Sequence, residues 1–254
     1  MAGHAFFLED GVETGNVITN NLGILTRRSY AMLNTDQTPA TFWITNPDNV
    51  ISGNVAAGSA NYGFWFDVPP APRGASANCA LGDTICPTAS SLCPQGATIR
   101  EFSDNAAHSN HKYGLRVHHS VGGFWPRESP CGRPSDTNRW KQAVAKRYFG
   151  WRNAINGVTL TRVAAFALVD LKVVDNLARG VEMPGVEAGK GDKRHLLGPW
   201  GLHANVITGA LFVGFTRETE LGATVGPFGS AEAPFRTPYV TDGIIQHCPP
   251  GNGG

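Results

Sequence analysis

The chain has 254 residues, 41% apolar and only 16% charged, with 31 Gly and 17 Pro. That composition can fill a sizeable core and stays below the Gly/Pro content of low-complexity chains, so it encodes a folded domain. A net charge of +1, from 21 basic and 20 acidic residues, excludes a strongly basic nucleic-acid binder, and no apolar run approaches the roughly 18 residues of a membrane span.

The opening segment, MAGHAFFLED, has no basic region and only a four-residue apolar run, so it is no secretory signal. It reads as a first strand within a piece of a longer protein. Asn16-Val-Ile-Thr19 follows, and returns as Asn49-Val-Ile-Ser52 and Asn205-Val-Ile-Thr208. Longer units align with it: Gly15 to Gly23, Gly53 to Gly63, Asp104 to Gly114 and, more weakly, Val173 to Gly180. Each is a short strand, a corner rich in Asn or Gly, and another short strand. Gly and Asn accept left-handed backbone and so turn the chain sharply. Alternation at period two gives each strand one inward face, and one unit cannot bury that face alone, so the units must stack.

The fold implied is all-β: a right-handed parallel β-helix, a solenoid with Asn side chains laddered at its corners and Val17 and Val206 pointing into the core. One domain is expected over residues 1–254. Uneven repeat spacing leaves long corner loops at about 67–98, 126–150 and 185–199. The segment RWKQAVAKRYF, residues 139–149, has the composition of a short inserted helix.

Cys79, Cys86 and Cys93 fall in the first of these loops, Cys131 in the second and Cys248 near the end. No Cys-x-x-Cys occurs and no His lies in the cluster, so disulfides fit better than zinc. At least two of Cys79, Cys86 and Cys93 are expected to be oxidised, in an oxidising compartment, with connectivity left open.

Glu9, Asp10 and Glu13 are the tightest acidic group, and glycoside cleavage generally uses two carboxylates. Neighbours on a strand point apart, which leaves Glu9 and Glu13 across the Gly11 turn as the candidate acids; the competing reading is a plain Asp10-Gly11 turn. His111, with His108, Tyr113 and Arg116, forms an acid–base and cation set suited to uronic acids, or alternatively a polar outer rung. Trp43 and Trp65 alternate with Phe42/Ile44 and Phe64/Phe66, so the two sets face opposite ways. If the Trp side chains are the outward set they can stack on sugar rings, with Asp67 on the side of Trp65. The candidate catalytic residues are therefore Glu9, Glu13 and His111, and the candidate substrate-binding residues Trp43, Trp65, Asp67, Tyr113 and Arg116. His118 and His119 are sequence neighbours and face apart, so no metal site is expected, and no cofactor.

Residues 1–13, Leu22-Gly-Ile-Leu25, Thr41-Phe-Trp-Ile-Thr-Asn-Pro-Asp-Asn49, Asn54-Val-Ala-Ala-Gly-Ser59, Gly63-Phe-Trp-Phe66 and Asn105-Ala-Ala-His-Ser-Asn110 resemble the β-helix region of a family of large extracellular proteins. That family includes the fibrocystins, the cell-migration-inducing hyaluronidase and the transmembrane cell-surface hyaluronidase. The resemblance covers residues 1–120. It implies a right-handed parallel β-helix within a secreted or membrane-anchored ectodomain. The short, cysteine-free stretch 26–40 is more similar to the fibrocystin-like branch. The implied function is an extracellular β-helix module that interacts with glycans; the alternative is a catalytic depolymerase of a hyaluronan-type polysaccharide. Expected partners are an extracellular polysaccharide or glycoprotein, with no nucleic acid and no membrane span within this chain.

Overall fold

The computed structural model describes residues 2–30, 37–74, 76, 92–118, 123–132, 140–183 and 205–214, and the backbone of 240–241. Eighteen short strands wind through six rungs of three. The first rung is β1 (Phe6–Leu8), β2 (Val17–Thr19) and β3 (Leu22–Ile24), and the second β4 (Ala40–Ile44), β5 (Val50–Ser52) and β6 (Val55–Ala57). The third is β7 (Tyr62–Phe66), β8 (Glu101–Ser103) and β9 (Ala106–His108), and the fourth β10 (Tyr113–Val117), β11 (Ala143–Lys146) and β12 (Phe149–Trp151). The fifth is β13 (Asn156–Leu160), β14 (Phe166–Val169) and β15 (Lys172–Val174), and the sixth β16 (Arg179–Glu182), β17 (Val206–Thr208) and β18 (Leu211–Val213).

Equivalent strands of successive rungs pair in parallel, which makes three sheets: β1-β4-β7-β10-β13-β16, β2-β5-β8-β11-β14-β17 and β3-β6-β9-β12-β15-β18. A nineteenth strand, β19 (Val240–Thr241), adds antiparallel to β18. This is a right-handed parallel β-helix. Rungs vary in length because their corners do: rung-equivalent asparagines lie 33, 51, 43 and 23 residues apart at different steps.

The core runs up the axis as stacks of like residues. Phe6, Phe42 and Phe64 lie almost parallel, with centroids 4.5 and 4.6 Å apart, and Leu115 and Val158 continue the column. From the second sheet Ile18, Ile51, Phe102, Ala145 and Leu168 point inward. Glycines serve where the interior is narrowest: a Cβ on Gly114 would lie 2.3 Å from the Tyr148 hydroxyl and 2.8 Å from the Gly157 carbonyl.

At the corner between the second and third sheets each rung places one residue in the left-handed region: Asn20, Gly53, Asp104, Arg147, Asp170 and Gly209. The next residue is Asn in the first three rungs, and the Nδ2 of Asn21 donates to Asn54 Oδ1 (3.0 Å) and that of Asn54 to Asn105 Oδ1 (3.2 Å). A second ladder, Asn110–Asn153–Asn176, follows the third sheet, and Asn16–Asn49 starts a third.

Three expectations require correction. Val17 is 68% and Val206 39% exposed, and it is Ile18 and Ile207 that pack on the core. Each Asn is a corner residue, so the residue immediately after it faces outward and the next one faces in. Residues 140–149 of the segment expected to be an inserted helix are not helical, and no α-helix occurs among the described residues. Ala143 and Ala145 point inward in β11, alternating with Val144 and Lys146, and Arg147 turns the chain into β12. Small inward alanines at period two outweigh the helix propensity of the same residues. Finally, Asn16 pairs with Asn49, as the short Asn-Val-Ile repeat expects, but Asn54 pairs with Asn21, so the longer unit from Gly15 does not superpose on the one from Gly53.

Cys93 and Cys131 form a disulfide. Cys79, Cys86 and Cys248 lie outside the described residues.

Candidate functional site

The outer face of the first sheet carries most of the candidate residues. Pairing registers set Phe7, Trp43, Trp65, Arg116, Thr159 and Glu182 in one row across six strands. A parallel row holds Ala40, Tyr62, Tyr113, Asn156 and Arg179. Alternation along each strand explains the division: Phe42, Phe64 and Leu115 go inward, while Trp43, Trp65 and Arg116 go outward.

The two Trp side chains face outward but are covered. Trp43 is 1% exposed, packed 4.2 Å from the His4 ring and 4.4 Å from the Trp65 ring. Arg73 lies over it at 5.7 Å and is tied by a 2.7 Å ion pair to Asp67. Asp67 is thus a structural partner beneath a loop, and Trp43 has no face left for a ligand. Trp65 donates its indole N–H to the His118 carbonyl (3.1 Å), and its own face is covered by Arg116 at 4.4 Å.

Arg116 is the centre of what remains accessible. Its guanidinium lies 4.9 Å from the Tyr62 ring and 5.8 Å from Tyr113, and it donates to the Tyr62 hydroxyl at 2.6 Å. The Lys112 ammonium stands 5.7 Å from the Tyr62 ring. Three aromatic rings thus orient one cation by their π faces, each contact worth about 0.5–2 kcal/mol. The neighbouring charges that act on Lys112 and His111 are those of Arg28, Arg116 and Lys112, all cationic. Burial, then Arg116 and Arg28, lowers the Lys112 pKa; burial, then Arg28 and Lys112, lowers that of His111; burial raises that of Tyr62, opposed by Arg116. Further along the face the character changes. Glu182 accepts from Asn156 Nδ2 at 2.7 Å and pairs with Arg179 at 3.2 Å.

The three candidate catalytic residues do not converge. Glu13 folds back over its own turn, its carboxylate accepting the backbone N–H groups of Glu9, Asp10 and Gly11 at 2.8–3.0 Å. It closes the corner that follows β1. His111 sits before β10, at the end where strands of this sheet begin. Glu9 and Glu13 lie beyond the end where they finish, so about 13 Å of strand separates the two ends. His108 lies elsewhere again, on the third sheet, stacked 4.1 Å from Trp151. Of the candidate set, Tyr113 and Arg116 are therefore the pair brought together on an accessible surface. Tyr62 and Lys112, missed as candidates, complete it; the aligned dipeptides Tyr62-Gly63 and Tyr113-Gly114 were the available signal. Among the described residues no group of three His, Cys, Asp or Glu side chains is placed to hold a metal ion.

Comparison with known proteins agrees with this architecture. The CEMIP beta-helix family model matches residues 1–115. Fibrocystin-L of Mus musculus is 30% identical over 225 residues, covering 88% of this chain and 5% of that protein. Fibrocystin-L of Homo sapiens is 29% identical over 224 residues, with the same coverage. The human cell surface hyaluronidase CEMIP2 is 33% identical over 194 residues, 61% of this chain and 13% of that protein. The chain thus spans a small fraction of the relatives it matches. Over residues 1–115 the chain is similar to the CEMIP beta-helix, and its likeness to fibrocystin-L covers most of its length.

Proposed function

We propose that this β-helix is an extracellular or cell-surface module that binds an acidic glycan on the outer face of its first sheet. The observation that carries the reading is the convergence of Arg116 and Lys112 on the Tyr62 and Tyr113 rings, 4.9–5.8 Å from their centroids, with the Arg28 charge also reaching Tyr62, His111 and Lys112. A uronic acid carboxylate would take the terminal N–H groups of Arg116 that the Tyr62 hydroxyl and His118 Nδ1 leave unused. The Tyr113 ring offers apolar contact beside it. Two relatives support the substrate class: one is named as a cell surface hyaluronidase and another as a hyaluronan-binding protein. The Cys93–Cys131 disulfide agrees with an oxidising, extracellular setting.

The test is calorimetric titration of hyaluronan oligosaccharides into the folded chain at low salt, with Arg116→Ala and the neutral polymer dextran as controls. Hyaluronan is expected to bind, and Arg116→Ala to weaken binding 10- to 100-fold, about 1–3 kcal/mol. Equal affinity of wild type and variant would remove the role of this face. Sizing the polymer after incubation tests depolymerisation in the same samples.

A further inference from the structure

Two long insertions, after β7 and after β10, leave the solenoid at the same corner, between the first and second sheets. The described parts of the two are joined by Cys93–Cys131. The backbone of 125–127 lies beside 95–96, with Trp125 N–H donating to the Gln95 carbonyl (2.8 Å) and Arg127 N–H to the Gly96 carbonyl (2.9 Å). Gly96 is required for that approach, since a Cβ there would lie 2.1 Å from the Pro130 carbonyl oxygen.

Between these segments and the corners of the first two rungs opens a cavity of about 270 Å³, lined by Asn46, Thr98, the cations Arg127 and Lys141 and the carboxylates Asp48 and Glu128 among others, with no ion pair between Glu128 and Arg127 among the described residues. Arg127 is the exceptional residue. It is only 8% exposed, yet no hydrogen bond or ion pair of its guanidinium is found among the described residues, and its Nε is wholly buried without a partner. The Asp48 carboxylate nearby is already taken by Arg100, which holds it through two contacts of 2.8 and 3.1 Å. Burial lowers the Arg127 pKa. A guanidinium kept out of water without a counter-charge is unfavourable, and a folded chain retains one where something else supplies the anion.

We propose that this cavity is an oxyanion site, with Arg127 holding one carboxylate or sulfate group through paired N–H donors and Lys141 at the rim adding charge. The volume suits a small anion or the acid group of a single sugar, not a long oligosaccharide. The site shares no residue with the Arg116 face, so it stands or falls independently of the glycan reading of that face.

The experiment compares melting of wild type and Arg127→Met in sodium sulfate and in sodium chloride at matched ionic strength, and in sodium glucuronate against glucose. Wild type is expected to gain about 2–4 °C from sulfate, saturably, while Arg127→Met gains nothing beyond the general salt effect. In anion-poor buffer Arg127→Met should melt no lower than wild type, because it removes an uncompensated charge. A saturable gain with sulfate alone identifies an inorganic anion site; a gain with glucuronate as well identifies the acid group of a glycan. Equal sulfate shifts in both proteins, or a variant destabilised in anion-poor buffer, would overturn the proposal. Should Arg127→Met not fold, isothermal titration of wild type with sulfate decides instead: the absence of saturable binding overturns it.

Discussion

Asn105 shows what a single corner side chain does in this solenoid. Its Oδ1 accepts from the backbone N–H and side-chain amide of Asn54, and its own Nδ2 donates to the Ile51 carbonyl at 2.8 Å. Asn105→Ala would strand the buried Asn54 N–H and take the side-chain donor from the Ile51 carbonyl, while Asn54 Nδ2 keeps its bonds to the Ile18 and Ser52 carbonyls, for a loss of about 2–4 kcal/mol in denaturant unfolding. Asn16→Ala, on an exposed residue at the end of its ladder, should cost under about 1 kcal/mol. The ladder was legible in the sequence because Asn recurs with the same apolar neighbours. The direction of those neighbours was not, since a corner shifts the inward–outward alternation by one residue and the sequence does not mark where. His108 carries a second prediction at this scale. Burial against Trp151 lowers its pKa, so the unfolded chain binds its proton more readily than the folded one. Stability from this group is therefore intact above the unfolded His value of about 6.5 and lost as pH falls below it. The pH dependence of unfolding between roughly pH 7 and 5 should be shallower in His108→Gln, and parallel curves for the two proteins would refute the assignment.

At the scale of elements, the sequence shows strands clearly where the inward residues are large and poorly where they are small. The columns Phe42–Phe64–Leu115 and Ile51–Phe102 stand out as apolar punctuation, whereas β11 hides in a basic, alanine-rich segment. The outer face was half legible for the same reason. Alternation sets Trp43 and Trp65 opposite their Phe neighbours without saying which set is outward, and burial under Arg73, Asp67 and Arg116 depends on loops and on registers between rungs. Likewise, alternation says nothing of which end of a strand a neighbouring turn occupies, so the sequence alone does not separate Glu9 and Glu13 from His111. The disulfide has an element-level role of its own. Cys93–Cys131 closes a 38-residue span that includes β8, β9 and β10, so by the chain-entropy account it is worth about 4 kcal/mol against the unfolded state. Reduction is expected to lower the denaturation midpoint while leaving the far-ultraviolet β signal of the folded protein unchanged. Loss of that signal on reduction alone would mean the rungs themselves depend on the bridge.

A solenoid distributes its stability along one axis, because each rung touches only the rungs above and below it. The consequences here are set by how unequal the rungs are. The first exposes Val17, Leu22, Ile24 and Leu25 at 55–68%, and its backbone is paired on one side. The third and fourth rungs bury Phe64, Phe66, Phe102, Leu115 and Tyr148 to within a few per cent, with interlocking ring contacts among Phe64, Phe66, Phe102 and Tyr148. Opening the first rung thus exposes little further apolar surface, whereas opening the middle exposes nearly all of it. Hydrogen exchange should follow that gradient: amides of β2 and β3 exchange through local fraying, and those of β7 and β10 only through global unfolding. Two substitutions separate the regimes. Phe102→Ala removes a ring from the centre of the stack and should cost about 3–5 kcal/mol, accelerating exchange in β7, β8 and β10 together. Ile18→Ala, on the first rung, should accelerate β1–β3 and leave β7 and β10 unchanged. If Ile18→Ala accelerated every strand equally, the six rungs would be one cooperative unit, and the independence of the first rung inferred from its exposure would be wrong.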